Sequence, residues 1–232
     1  MSRPRPASEH AFDSVASLYD SWFDLPLGRI VDELEKNLLY RLAEPRLGEQ
    51  ALDVGTGTGH FAADLASRGL EVVGLDLSPP MLEVARRQGL SGRWMRGDAA
   101  ALPLTARAFD LVVSVTAFEF VADPQRAVQE LWRVVRPGGR LVVAVLNSWS
   151  PWAWARQRES KQQKTPFSHA HFFSPGQFVQ LLRHLGPVRW TSSVFIGPHG
   201  AGMRWAWGLE CLGRVLLRPF GALLVGRVSK CG

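Results

Sequence analysis

Long apolar runs are missing from this 232-residue chain: nowhere do about 18 consecutive residues stay apolar and uncharged, so no membrane-spanning helix is expected. Cysteine is scarce. Cys211 and Cys231 lie late in the chain and match neither a disulfide framework nor the paired spacing of a zinc site. A reducing, cytoplasmic setting without a metal is the expectation. Met1 to His10 contain Arg3, Pro4, Arg5 and Pro6 but no apolar stretch of the signal-peptide kind, so secretion is not expected. Acidic residues are nearly absent from residues 133–232, which hold 2 Asp/Glu against 14 Lys/Arg and a net charge of +12. Residues 1–132 carry −6, with 19 acidic and 13 basic side chains. The basic part also holds six of the nine tryptophans. Solubility alone explains such an asymmetry, and so does an anionic substrate, nucleic acid or lipid headgroups. No internal repeat and no linker interrupts the chain, and its size and 46% hydrophobic content suit one α/β domain.

What is present is an alternation of short apolar runs and helical periodicities. Ala51 to Val54, Glu71 to Leu75, Arg93 to Gly97, Phe109 to Val115 and Arg140 to Leu146 read as five strands. The segments from His60, from Ser78-Pro79 and from about Pro124 to Val135 read as the helices between them. Strands separated by helices imply a parallel sheet with helices on both faces. A helix over about Arg29 to Ala43 precedes this core, behind an aromatic-acidic segment from Phe12 to Phe23. After it come a polar, Trp-rich stretch (Asn147 to Phe173), a helix (Ser174 to His184), a strand (Val188 to Ile196), an amphipathic helix (Met203 to Leu217) and a last strand (Ala222 to Val228). The expected division is a cover over 1–45, a core over 46–147 and an acceptor side over 148–232.

Asp53-Val-Gly55-Thr-Gly57-Thr-Gly59 sets an acid at the end of the first strand and three glycines at alternate positions in the turn. A dinucleotide fingerprint would need glycine where His60 stands, which weakens a nicotinamide-dependent oxidoreductase reading. The charge at Asp53 would repel a pyrophosphate but suits an ammonium group, the glycines allow close backbone approach, and amides at the next helix start can receive a carboxylate. An amino-acid moiety fits better than a phosphate. Asp76, at the end of the second strand, is placed to accept hydrogen bonds from ribose hydroxyls, or to cap the helix beginning near Pro79. Asp98 and Ala99 follow the third strand and either read an adenine edge or form a solvated turn.

Together these stretches resemble the class I S-adenosylmethionine-dependent methyltransferases, in particular the type 11, ubiquinone/menaquinone-biosynthesis-like small-molecule branch. Leu52-Asp-Val-Gly-Thr-Gly-Thr-Gly-His-Phe61 resembles the first motif, Gly74-Leu-Asp-Leu-Ser78 the second acidic loop, and Gly97-Asp-Ala-Ala-Ala-Leu-Pro-Leu104 the adenine loop. Phe109-Asp-Leu-Val-Val-Ser114 and Leu131-Trp-Arg-Val-Val-Arg-Pro-Gly-Gly-Arg-Leu141 are similar to the fourth and fifth strand signatures. The resemblance covers about Phe12 to Asn147 and implies a Rossmann-like seven-stranded, mostly parallel sheet with an antiparallel last strand. By it, Asp53, Gly55, Thr56, Gly57 and Gly59 would hold the methionine part of S-adenosylmethionine, Asp76 the ribose and Leu77 one adenine face. Asp98 and Ala99 would contact the adenine edge, Met81 and Val115 would complete the lining, and Tyr19 would close over the cofactor.

A methyl sulfonium is already activated, so the enzyme's main task is to align a nucleophile and exclude water, and a general base is needed only for an acceptor that must lose a proton early. No catalytic residue is assigned. Candidates on the acceptor side are Thr116, Phe118 and Glu119 after the fourth strand, and His169 and His171. His169-x-His171 resembles a metal pair but has no third ligand. Nucleic acid is disfavoured as a substrate. Val115-Thr-Ala-Phe118 is not the Asn/Asp-Pro-Pro-aromatic run of amino-methylating enzymes, and no cysteine precedes Cys211 to serve cytosine chemistry. The expectation is a small, lipophilic or anionic acceptor, methylated by in-line displacement by a monomer or homodimer. Trp149, Trp152, Trp154, Trp205 and Trp207, with Arg204, Arg214 and Arg218, suit an acceptor pocket or the inner face of a membrane, as well as ordinary packing. The alternative is a module that binds the cofactor as a sensor or assembly partner without turnover.

Overall fold

The structure, a computed structural model, describes residues 12, 16–89, 93–163 and 165–232, with the backbone alone for Leu18 and His169. In chain order the elements are α1 (Ser21–Asp24), α2 (Pro26–Ala43), β1 (Gln50–Val54), α3 (His60–Ser67), β2 (Glu71–Asp76), α4 (Pro79–Arg87) and β3 (Arg93–Arg96). They continue with β4 (Phe109–Val115), α5 (Pro124–Val134), β5 (Val135–Leu146), α6 (Pro151–Gln162), α7 (Pro175–Leu182), β6 (Arg189–Ser193), α8 (Ala206–Leu216) and β7 (Leu223–Ser229).

One seven-stranded sheet runs β3-β2-β1-β4-β5-β7-β6. The first five strands pair in parallel, and β7 lies antiparallel to both β5 and β6. Strands in the middle of such a sheet are covered on both faces, which is why β4 is buried at every position. Period-two alternation sends Leu52, Val54, Val112, Val143 and Val145 toward α5 and α7. Ala51, Leu111, Val113, Val142 and Ala144 pack on the other side, under α2 and α3. Each Leu or Val fully buried in these two layers contributes about 1.5–3 kcal/mol.

Four helices begin with the same local device, a short polar side chain followed by proline at the first helical position. Ser78, Asp123, Ser150 and Ser174 accept hydrogen bonds from the backbone N–H groups of Met81, Arg126, Ala153 and Gln177 respectively. The Ser150-Pro151 start opens α6, a helix inside the polar, Trp-rich stretch to which no element is assigned from the sequence. It buries only Trp152 and Ala153, so apolar periodicity does not mark it. The helix expected from Arg29 begins three residues earlier, at Pro26. β5 begins at Val135, directly after α5, with Pro137-Gly138-Gly139 inside its span and Val135 paired to Phe109.

The strand expected to reach Ile196 stops at Ser193. Val194 takes φ +66°, and its N–H donates to Glu210 Oε2 at 3.0 Å instead of to a neighbouring strand. Glu210 is buried, and its Oε1 also accepts from Ser193 Oγ (2.6 Å) and Arg214 Nε (3.0 Å), tying α8 to the sheet edge. At the sheet end away from the glycine loop, Arg140 on β5 is 5% exposed and forks onto Glu49 at 2.8 and 2.7 Å. Its Nε donates to the Ala43 carbonyl. No helix among the described residues is long and apolar enough to cross a membrane.

Candidate functional site

The carboxyl ends of β1, β2, β3 and β4 carry the loops that enclose a cavity of about 390 Å³. Open parallel sheets place ligand crevices at this edge. Gly55, Gly57 and Gly59 all lie in the left-handed region, with φ of +76°, +56° and +85°. A Cβ on Gly55 would stand 2.2 Å from Ala117 Cβ, whereas one on Gly57 would meet nothing within 4 Å. The loop is therefore pressed against the segment after β4 at one glycine and open at the next, which leaves its backbone accessible to a ligand.

Asp76 belongs to the cavity wall and also builds it. Its Oδ2 accepts from Gly57 N–H and its Oδ1 from Ser78 N–H, both at 2.8 Å, so it clamps the glycine loop to the start of α4. Leu77, Met81, Asp98, Ala99, Thr56 and Val115 line the same cavity. Asp98 also closes its own turn by accepting from Ala100 N–H at 2.8 Å.

Asp53 is placed differently from the expectation. Its carboxyl is 2% exposed, sits behind the loop rather than on the cavity surface, and accepts from Thr56 Oγ1 at 2.8 Å. Burial, together with the nearby charge of Asp76, raises its pKa to about 7 although the Thr56 hydroxyl opposes the rise. Gly59 caps α3 and is not on the cavity surface.

A second cavity of about 800 Å³ adjoins the first and shares Phe12, Tyr19, Phe23, Phe61 and Thr116 with it. Thr116 sits at the junction with φ +49°, a region that a β-branched residue enters at a cost of about 1–3 kcal/mol and that clusters at functional sites. Tyr19 lies in the wall between the cavities, edge-on to Phe12 (5.6 Å) and Phe23 (6.1 Å). Burial, helped by Glu35 and Asp20, pushes its phenol to about 12, so it stays neutral.

Contacts that sequence reasoning missed hold the N-terminal segment over the first cavity. Asp20 accepts from Thr58 Oγ1 (2.7 Å) and Gln88 Nε2 (2.5 Å). His60 stacks on Phe23 at 3.9 Å and pairs with Asp32 at 2.8 Å. In the sequence His60 figures only as a glycine that is absent. Its aromatic and charged partners lie more than 25 residues away, which no local pattern reports.

Of the described acceptor-side candidates Thr116 alone lines the cavities, while the His171 N–H donates to the Glu119 carbonyl at 2.8 Å away from them. Phe118 is fully buried in the core. Glu119 is 2% exposed and lies outside the residues lining either cavity. Its Oε1 accepts from Leu146 N–H and its Oε2 has no hydrogen-bond partner among the described residues. Burial raises its pKa to about 7. His171 is exposed, edge-on to Phe173 at 4.7 Å, and lines neither cavity. The side chain of His169 falls outside the described part. Among the described residues no cluster of three His, Cys, Asp or Glu is arranged for a metal.

Residues 52–143 match the family described as the methyltransferase domain. The chain is 47% identical over 108 residues to the demethylmenaquinone methyltransferase of Thermus thermophilus, covering 44% of this chain and 49% of that one. It is 35% identical over 163 residues to the malonyl-[acyl-carrier protein] O-methyltransferase of Pectobacterium atrosepticum, covering 69% and 62%. It therefore spans about half the length of the first relative and under two thirds of the second. An S-adenosylmethionine-dependent methyltransferase of Thermotoga maritima shares the fold with a TM-score of 0.70 at 25% identity, over 96% of this chain and 99% of that chain. A seven-stranded sheet with β7 reversed, carrying the glycine loop and two acidic loops along one edge, defines a Rossmann-like methyltransferase. Residues 52–143 thus carry the methyltransferase domain, on a fold shared with an S-adenosylmethionine-dependent methyltransferase.

Proposed function

We propose that this protein methylates a small, flat, lipophilic acceptor, with S-adenosylmethionine in the 390 Å³ cavity and the acceptor in the larger one. The observation that carries the reading is the junction at Tyr19, Phe61 and Thr116, where the two cavities meet across the strained end of β4. The cavity's groups suit the cofactor: open backbone at Gly57, an acid behind the loop at Asp53, the Asp76 carboxylate on the cavity wall, and apolar faces at Leu77 and Met81. When bound, the cofactor supplies an activated methyl on a sulfonium, and displacement by the acceptor leaves a neutral thioether.

In this reading Gly55, Thr56, Gly57 and Gly59 shape the loop that receives the amino-acid end, with the Asp53 carboxyl behind it. Asp76 takes the ribose hydroxyls, and Asp98 and Ala99 face the adenine edge. Tyr19, Phe12 and Phe23 exclude water from the reacting side. Alignment and dehydration then supply most of the acceleration, and no general base is required of an acceptor that arrives ionised. The chain works as one domain: 1–45 cover the site, 46–147 hold the cofactor and 148–232 form the acceptor side. The small-molecule branch is supported by the two relatives named as quinone and malonyl-carrier methyltransferases.

A peripheral membrane site is part of the proposal. Trp205, Trp207, Leu212, Val215, Leu216 and Leu217 are all more than half exposed on and around α8, in the basic part of the chain. Of the three arginines expected to meet headgroups, Arg214 is engaged with Glu210, and Arg218 lies 3.9 Å over Trp190. Arg204 remains for that role.

Calorimetry with S-adenosylhomocysteine, then transfer of a labelled methyl to small molecules from cell extract, tests the reading. Binding with transfer supports an enzyme, and binding without transfer in any extract favours the cofactor-holding module. No affinity for S-adenosylmethionine or S-adenosylhomocysteine in folded protein overturns both. Sedimentation with anionic liposomes at low salt tests the membrane contact, and its absence refutes it.

A further inference from the structure

The 800 Å³ cavity is lined by two ionisable groups, Arg156 and Glu35, that have no hydrogen-bonding partner among the described residues. Arg156, on α6, projects its guanidinium to 5.3 Å from the Trp152 ring centre and 4.9 Å from that of Phe167. No ion pair or hydrogen bond to any described residue satisfies its N–H groups. Burial disfavours its charged form, and only the more distant fields of Glu35, Glu119, Tyr19 and Glu159 oppose that. Glu35, on α2 and lining the same cavity, also has no hydrogen bond among the described residues. Burial pushes its pKa to about 8, so near pH 7 it stands as a neutral acid and does not balance the guanidinium.

Arg156 is half-buried, so its guanidinium donors open onto the cavity, where no acceptor among the described residues takes them and an entering anion can. The side chain has not simply been left loose. Trp152, one of its aromatic neighbours, is locked by its indole N–H donating to the Ile196 carbonyl at 2.7 Å. Trp22 stands edge-on to Trp152 at 6.3 Å, so the cavity offers flat apolar walls beside the cation. Planar oxyanions match the guanidinium fork in geometry and charge, and aromatic walls match a flat apolar body.

We infer that Arg156 is the specificity-determining residue of the acceptor cavity, and that it selects a flat apolar acceptor bearing an oxyanion, either a carboxylate or an ionised ring hydroxyl. Glu35 is the neighbouring donor that adds a hydrogen bond to the same oxygen, and both oxygen and ring lie in the cavity that opens onto the cofactor side at Tyr19 and Thr116. A cationic acceptor is rejected by the same guanidinium. This inference deepens the proposed function and rests on it for the word acceptor, while the binding chemistry stands by itself.

The test is calorimetry on the full chain, with and without saturating S-adenosylhomocysteine, using four probes: 2-naphthoate, 4-nitrophenolate at pH 8, neutral 2-naphthalenemethanol and cationic 2-naphthylmethylamine. Naphthoate is expected to bind at least about tenfold more tightly than the alcohol, the scale of a hydrogen-bonded charge, and the amine more weakly than either. Preference for naphthoate or nitrophenolate identifies which oxyanion the cavity takes. Arg156→Gln is expected to lose that tenfold for the anions, leave the alcohol unchanged and keep wild-type affinity for S-adenosylhomocysteine, with Arg156→Lys in between. Equal binding of naphthoate and alcohol, no binding of either anion at millimolar concentration, preference for the amine, or an Arg156→Gln protein that binds the anions normally would each overturn the inference. Arg156-dependent anion binding without any affinity for S-adenosylhomocysteine would instead remove the methyl-transfer reading and leave the anion site standing.

Discussion

Glu119→Gln isolates the cost of a carboxyl buried behind the site. Glu119 is 2% exposed, one oxygen accepts from Leu146 N–H and the other has no partner among the described residues. Burial carries its pKa from 4.5 to about 7. A folded-state value above the unfolded one means that folding favours the protonated acid. Its contribution to stability is complete below about pH 4.5 and is lost as pH rises through about 7. At about 1.4 kcal/mol per pH unit, that gap amounts to roughly 3 kcal/mol.

Glutamine keeps the carbonyl oxygen for Leu146 and cannot ionise. The difference in stability between variant and wild type should therefore grow in the variant's favour by roughly 3 kcal/mol between pH 4.5 and 8. For a chain of this length that is roughly 10 °C in Tm. Asp53 and Glu35, whose values are also raised, titrate in both proteins and largely cancel in the comparison. Glu35 also feels the Glu119 charge, so removing that charge adds in the same direction. Scanning calorimetry of ligand-free protein at several pH values gives the two curves. Parallel curves from pH 5 to 8.5 would refute the reasoning, since they would mean that Glu119 does not change its ionisation inside the core.

Asp76→Ala removes the acceptor for Gly57 N–H and Ser78 N–H, and should weaken S-adenosylhomocysteine binding by about 10- to 100-fold; a calorimetric change under twofold would count against the ribose role. Gly55→Ala forces a Cβ to 2.2 Å from Ala117 Cβ at φ +76°, so it should lower Tm and cofactor affinity together. Adding Ala117→Gly should recover only the part due to the clash, and full recovery would mean that the dihedral carries no cost. Arg140→Met strands Glu49 and the Ala43 carbonyl at the opposite end of the sheet. It should cost about 3–5 kcal/mol in denaturant unfolding and leave S-adenosylhomocysteine affinity unchanged in folded protein.

Much of the architecture was readable along the chain because its causes are local. The left-handed glycines between β1 and α3, the acids ending β1 and β2, and the Ser/Asp-Pro helix starts each act within a few residues. The apolar strands reveal themselves because both faces of a central parallel strand are covered. α6 went unread because a helix burying one or two side chains has no apolar stripe, although Ser150-Pro151 carried its start signal. Asp53, expected to face an ammonium group, has its carboxyl behind the loop because Thr56, three residues on, folds back to donate to it.

Local chemistry thus determined the order of elements and the stretches that make the first cavity. Tertiary packing alone decided the second. Glu35 comes from α2, Tyr19 from the segment before α1, Thr116 from the end of β4 and Arg156 from α6, positions separated by up to 137 residues in sequence. Their convergence depends on how helices far apart in the chain stack over one sheet edge, and it is those helices that give Arg156 aromatic faces in place of a carboxylate among the described residues.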